Sequence, residues 1–297
     1  MGETMRQKSV KRRDFLKLAG GALLGAVATG APRRDRFRVP TPFGPDDSPY
    51  DPNSQGEPTD LDEYDFILPR VRVVELPFKG RGKGPDVWNV RPGGDANLLR
   101  ELSRVVRCRT KPIHAAIDWQ PQYAFEGQFN AVVTFDDPDR LRHYPFLFMT
   151  GENHFEFSSD QKGNLKDYLT AGGFVLMDDC VVGSGGDFFY TSCFRLLEEL
   201  FGRGSLRMIP REHEVFHNVF DLGDTGLPYL QYTGRRGTHG QNHGARGLFF
   251  GDRLGVFLSS TDLHCGWCDS HGVEWGPDGY RKTVQMGINI IAYALSH

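Results

Sequence analysis

Short, uninterrupted apolar runs recur along residues 64–297, each followed by a stretch of helical spacing, and this alternation is what most limits the possible folds. "VRVVEL" (71–76), "YPFLFMTG" (144–151), "FVLMDD" (174–179) and "LRMIP" (206–210) read as strands, and "GLFFGDRLGVFLSS" reads as a strand pair turning at Gly251-Asp252. Between them, "DANLLRELSRVVR" carries Leu98, Leu99, Leu102, Val105 and Val106 at helical spacing, with Asp95 as its expected N-cap. "SSDQKGNLKDYLTAGG" is a helix opened by Ser158 or Ser159 and closed by Gly172-Gly173. "TSCFRLLEELFG" and "RKTVQMGINIIAYAL" are two more helices. A strand with one wet face alternates polar and apolar residues, whereas a strand covered on both faces is apolar throughout. The pattern therefore predicts an α/β domain with a mainly parallel sheet covered by helices on both sides.

The N-terminus follows a different rule. "SVKRRDFLKLAGGALLGAVATGA" places Arg12-Arg13 before Phe15-Leu16-Lys17 and then an uncharged run to Ala31, too short and too rich in Gly and Ala for a membrane span. Residues 1–31 resemble a twin-arginine export signal, with Ala26 and Ala28 offering a small-residue cut. The resemblance implies passage through the twin-arginine translocase and a periplasmic or extracytoplasmic location, membrane-anchored if the signal stays uncleaved. That route is known for carrying folded, often cofactor-bearing proteins. Residues 32–63, dense in Pro, Asp, Ser and Gly without apolar periodicity, read as a linker, leaving one domain at 64–297. Residues 1–31 hold six basic and two acidic residues, so the net charge of -3 becomes about -7 without them. No basic stripe exists to attract nucleic acid.

"YPFLFMTGENHFEFSSDQKGNLKDYLTAGGFVLMDD", "HEVFHNVFDL" and "STDLHCGW" followed by "MGINIIAYAL" resemble, in this order, the bacterial domain of unknown function 4159. The resemblance covers most of 64–297. It implies a class I glutamine amidotransferase-like domain, a three-layer αβα sandwich with a flavodoxin-like sheet, and brings no established activity. Such domains often occur beside envelope-associated modules.

Three motifs invite specific chemistry. His213-Glu214-Val215-Phe216-His217 spells the zinc-protease H-E-x-x-H. Its flanks look like strand and turn, Phe220 stands where a metzincin has glycine, and i, i+4 ligation needs one helical face, so the motif reads as coincidence. The family pattern commonly has proline where Glu214 stands, which also argues against a helix there. A glutaminase needs a cysteine in a G-x-C-x-G elbow, but Cys180 is flanked by Asp178 and Val182. Two neighbouring carboxylates would also oppose its thiolate, so Cys180 reads as an ordinary residue. Cys265-Gly266-Trp267-Cys268 has thiol-oxidoreductase spacing, though it comes late in the chain and precedes a loop.

Ligands of open α/β sheets bind beyond the carboxyl ends of the strands. The predicted strands deliver Glu152 and His154, Asp178 and Asp179, His213, and Asp262 and His264 there. These seven are the candidate catalytic residues, and His154, Asp179, His213 and His264 are the candidate ligands of a divalent metal. Trp267, Trp275, Tyr280, Phe249, Phe250, Tyr229 and Tyr232 cluster late, as sugar-stacking or interface groups do, and "TGRRGTHGQNHGARG" adds His239 and His243 on a possible lid. Three functions stay open: an exported hydrolase, with or without a metal, acting on an envelope substrate such as a glycan or amide; a noncatalytic envelope scaffold that binds glycan or protein; and a thiol redox protein using Cys265 and Cys268.

Overall fold

The structure, a computed structural model, describes residues 63–74, 76, 88, 92–113, 129–180, 187–224, 226–228, 243–268 and 276–297. Residues 1–31, expected as an export signal, and all but the last residue of the expected linker lie outside them, as do His239, Trp275, Tyr229 and Tyr232. The elements run β1 (Pro69–Val71), α1 (Pro92–Val106), β2 (Ala131–Val133), α2 (Pro138–Leu141), β3 (Phe146–Gly151), α3 (Ser159–Thr170), β4 (Phe174–Asp179), α4 (Phe188–Phe201), β5 (Leu206–Met208), β6 (Arg246–Phe250), β7 (Arg253–Ser259), α5 (Leu263–Cys268) and α6 (Gly276–Ser296). A one-turn 3-10 helix, Glu214–Phe216, lies between β5 and β6.

Seven strands form one sheet in the order β2-β1-β3-β4-β7-β6-β5. The first five are parallel, and β6 runs antiparallel to both its neighbours. Strand order 2-1-3-4 followed by a fifth parallel strand is the flavodoxin arrangement. Here β6 and β5 extend it by a hairpin, and Gly251 supplies the left-handed φ of 64° at its turn.

Side-chain alternation explains the continuous apolar runs. Phe146, Phe148, Phe174 and Leu176 pack with α1 and α6 on one face. Leu147, Met149, Val175 and Met177 pack with α3 and α4 on the other. Both faces are covered, giving the three-layer αβα sandwich the pattern predicted. Ser158 opens α3 in a complete capping box with Gln161, which decides between the two serines.

Two local expectations are corrected. "VRVVEL" enters the sheet earlier than its apolar run implies: pairing ends at Val71, and Val74 is 63 % exposed. Asp95 does not cap a helix, because α1 begins at Pro92, whose missing N–H suits a first turn. Asp95 is instead buried inside that turn, where it answers a charge from β1. Among the described residues no helix is long and apolar enough to cross a membrane.

On α6, Gly287 faces α1 and α5 at a distance no side chain fits. A β-carbon there would lie 2.8 Å from Leu98 Cδ1 and 3.0 Å from Trp267 Cζ2. Overpacking costs roughly 1–3 kcal/mol against a helix-propensity gain of about 1 kcal/mol. Gly287→Ala is therefore expected to lower the urea midpoint with an unchanged slope, and a raised midpoint would disprove this close packing.

Candidate functional site

Asp178 and Asp179 end β4 side by side and, being consecutive in a strand, point to opposite faces of the sheet. Asp179 turns toward α4 and accepts a hydrogen bond from the Tyr190 N–H at 2.8 Å. His154, just past β3, lies on that same side: its Nδ1 is 2.9 Å from Ser192 Oγ, and its ring centre is 5.0 Å from that of Phe188. Both His154 and Ser192 are half-buried. Asp178 turns the other way and accepts from the N–H groups of Leu263 at 3.1 Å and His264 at 2.9 Å, tying the start of α5 to the end of β4. Burial is the main cause that pushes the Asp178 carboxyl up to about 7, against the lowering by these donors.

Behind α5, Arg70, Asp95 and His264 meet with no exposure to solvent. Arg70 grips Asp95 with two parallel bonds, Nε to Oδ2 at 2.8 Å and Nη2 to Oδ1 at 2.7 Å, and donates through Nη1 to the Trp88 carbonyl at 2.9 Å. Its guanidinium carbon sits 4.5 Å from the centre of the Phe148 ring. Nη2 is also 2.7 Å from His264 Nε2. A guanidinium keeps its protons, so Nε2 accepts, and the ring's own proton is on Nδ1 although Asp95 Oδ1 lies 3.3 Å from Nε2. Burial and then the Arg70 charge lower the His264 pKa, consistent with a neutral ring. For Asp95, burial acts upward but the charge and hydrogen bonds of Arg70 act downward, and the carboxyl is held below its ordinary value.

At the first residues of α5, Cys265 Sγ lies 3.4 Å from Cys180 Sγ, one residue past β4. Asp262 accepts from the Cys265 N–H at 3.2 Å through Oδ1, its backbone held at the left-handed φ of 56°. One ligand atom from each of Cys180, Asp262 and Cys265 lies within 4.8 Å of the others, and all three residues are buried. The hydrogen bond with Cys265, burial, and the charges of Asp262, Cys265 and Glu152 push the Cys180 thiol well above its ordinary value. Cys180 is thus no ordinary core residue, and its acid-ringed setting suits no glutaminase nucleophile. The Cys265/Cys268 pair departs from its spacing too: Cys265 faces Cys180, while Cys268 donates to the His264 carbonyl at 3.5 Å. Both are buried thiols, unlike the exposed, acidified thiol of an oxidoreductase.

His213 leaves the candidate set altogether. It sits at the amino end of β7, its Nδ1 accepting from the Val215 N–H at 3.1 Å. With Glu214, Asp252, Arg253, Tyr293 and His297 it lines a hollow of about 320 Å³ at the opposite edge of the sheet from His264. The H-E-x-x-H histidines share no helical face, since His217 turns to Asp221 and the Arg211 carbonyl. The four expected metal ligands therefore divide among three places: His154 and Asp179 by α4, His264 behind α5, His213 at the far edge. Of the two lid histidines, His243 is described, pairing with Asp187 at 2.7 Å and stacking on Tyr190 at 4.3 Å. Of the late aromatics that are described, Trp267 and Tyr280 are buried, and Phe249 and Phe250 are partly so.

A family model described as Domain of unknown function (DUF4159) matches residues 74–295. No curated protein matches the chain.

The buried Arg70–Asp95 pair sets one expectation. Asp95→Asn leaves a guanidinium buried without its counter-charge, a loss of roughly 3–5 kcal/mol. The double change Arg70→Met with Asp95→Leu removes both charges and is expected to cost less than Asp95→Asn alone. Urea unfolding of the three proteins checks this; a double variant weaker than the single one contradicts it.

Proposed function

The chain belongs to the DUF4159 family, and we propose that it is an exported cell-envelope protein with hydrolase activity at the carboxyl edge of its sheet. The twin arginines at Arg12-Arg13, with the run that follows, support export. The strand order supports kinship with class I glutamine amidotransferase-like domains, on the analogy of fold alone.

The observation that carries the hydrolytic reading is the 2.9 Å contact between Ser192 Oγ and His154 Nδ1, with both residues half-buried rather than sealed in the core. A serine becomes a nucleophile when an adjacent base takes its proton. Burial, then the Arg195 charge, lower the His154 pKa below 6.5, opposed by a hydrogen bond with the backbone of Phe188. A neutral ring with its proton on Nε2 receives the hydroxyl proton on Nδ1 as Ser192 Oγ bonds to a substrate carbonyl carbon. The ring then gives that proton to the departing amine or alcohol, and water releases the acyl group by the same path. Of the envelope bonds considered, this chemistry fits an amide or ester better than a glycosidic bond, which calls for paired carboxylates.

The second reading, a noncatalytic envelope binding domain with glycan or protein partners, is favoured by the structural duties of the fully buried groups. Asp178 caps α5, and Arg70 is bonded to both Asp95 and His264.

A fluorophosphonate, which bonds covalently to base-activated serines, separates the two. Mass spectrometry of the labelled full chain is expected to place the adduct on Ser192. His154→Gln should slow labelling by about 10²–10⁴-fold, the usual contribution of a general base. Because the His154 pKa is lowered, its protonation, and with it the loss of labelling, should set in only below pH 6.5. Folded protein that takes no label, or labels equally as Ser192→Ala, would sink the hydrolase reading and leave the binding domain.

A further inference from the structure

The three donor atoms on the α5 side have no part in that reaction. We infer that Cys180, Asp262 and Cys265 form a binding site for one zinc ion that pins the end of β4 to the start of α5. The inference goes beyond the hydrolase reading and stands whether or not Ser192 reacts.

Sulfur geometry makes the first argument. A disulfide needs its sulfurs about 2.05 Å apart. Two thiolates at the usual Zn–S distance of about 2.3 Å span a tetrahedral edge of roughly 3.8 Å. The observed 3.4 Å is a few tenths of an ångström from the zinc edge and well over an ångström from a disulfide. The thiols approach zinc geometry from opposite elements, one following a strand and one opening a helix.

Charge makes the second. The Asp262 carboxylate and the Cys180 and Cys265 thiols crowd one strand edge, all buried and with their ligand atoms within 4.8 Å of one another. Packing so many acidic groups together is costly unless a cation joins them. Thiolates with one carboxylate favour zinc over the hard cations calcium and magnesium, which prefer all-oxygen sites. Zinc would enter as the dication while the two thiol protons leave to solvent. A water completes four-coordination.

Preorganisation makes the third. Asp262 holds a left-handed φ that only a few residue types accept readily, and its carboxylate is already drawn inward by the Cys265 N–H. Asp178 fixes the next two amides, so the ligand-bearing turn is held before any ion arrives.

The test is zinc binding by the full chain, purified under reducing conditions and titrated with a zinc salt against a competing chelator, with occupancy read by elemental mass spectrometry. One zinc per chain is expected. Cys180→Ser and Cys265→Ser should each weaken binding by at least about 100-fold, beyond the roughly 10–100-fold of outer contacts. Cys268→Ser, Cys193→Ser and Ser192→Ala should bind as the parent does, which separates this site from the hydrolase reading. Cobalt(II) in the parent protein should show thiolate-to-metal charge-transfer absorption, a readout that needs no variant to fold. Folded parent protein without zinc, cobalt without that absorption, a Cys180→Ser protein that is folded and binds equally, or a Cys180–Cys265 disulfide in exported protein would each overturn the assignment.

Discussion

A guanidinium with no access to water is the constraint on which the carboxyl edge depends. Arg70 enters from β1, the Asp95 carboxylate from α1 and the His264 ring from α5, and their bonds can all be made only if these three elements keep one arrangement. A buried ion pair adds little net stability over an apolar core, but breaking it is expensive. Its effect here is positional. With His264 held by Arg70 and its backbone N–H by Asp178, the first turn of α5 has little freedom, and Cys265 is delivered opposite Cys180.

The sheet divides that edge into two rooms. On the α4 side, Asp179, His154 and Ser192 form a half-open polar niche with His243 and Asp187 close to Tyr190. On the α5 side, Asp178, Cys180, Asp262 and Cys265 form a closed one. An open niche with a hydroxyl on an imidazole suits a reaction, and a closed one with thiols and carboxylates suits an ion. Alternation along the six residues of β4 is what assigns each side chain to its room.

How much of this was legible in the sequence follows from the same alternation. The layers were, because apolar runs at Phe146–Gly151 and Phe174–Asp179 can only be strands covered twice. The carboxyl edge was, because Glu152, Asp178, Asp179, Asp262 and His264 all follow strands that proved parallel. Their grouping was misjudged by treating neighbours in sequence as neighbours in space: Asp178 and Asp179 cannot share one site, and a C-x-x-C spacing does not make Cys265 face Cys268. His213 was misplaced because the chain leaves β5 beside Ala245, near the carboxyl end of β7, and then folds back to the amino end, where His213 lies by Asp252 and Arg253. Arg70, Asp95 and Ser192 carried no motif. Only their tertiary partners reveal them, although the even spacing of Asp178 and Cys180 could have put both on the α5 face.

X-ray absorption at the zinc edge, on folded protein loaded with one equivalent of zinc, tests the central claim most directly, since it reads which atoms the ion touches. The account predicts two sulfur neighbours at about 2.3 Å with lighter atoms at about 2.0–2.2 Å. A shell of nitrogen and oxygen alone, as His154 and Asp179 would give, contradicts it.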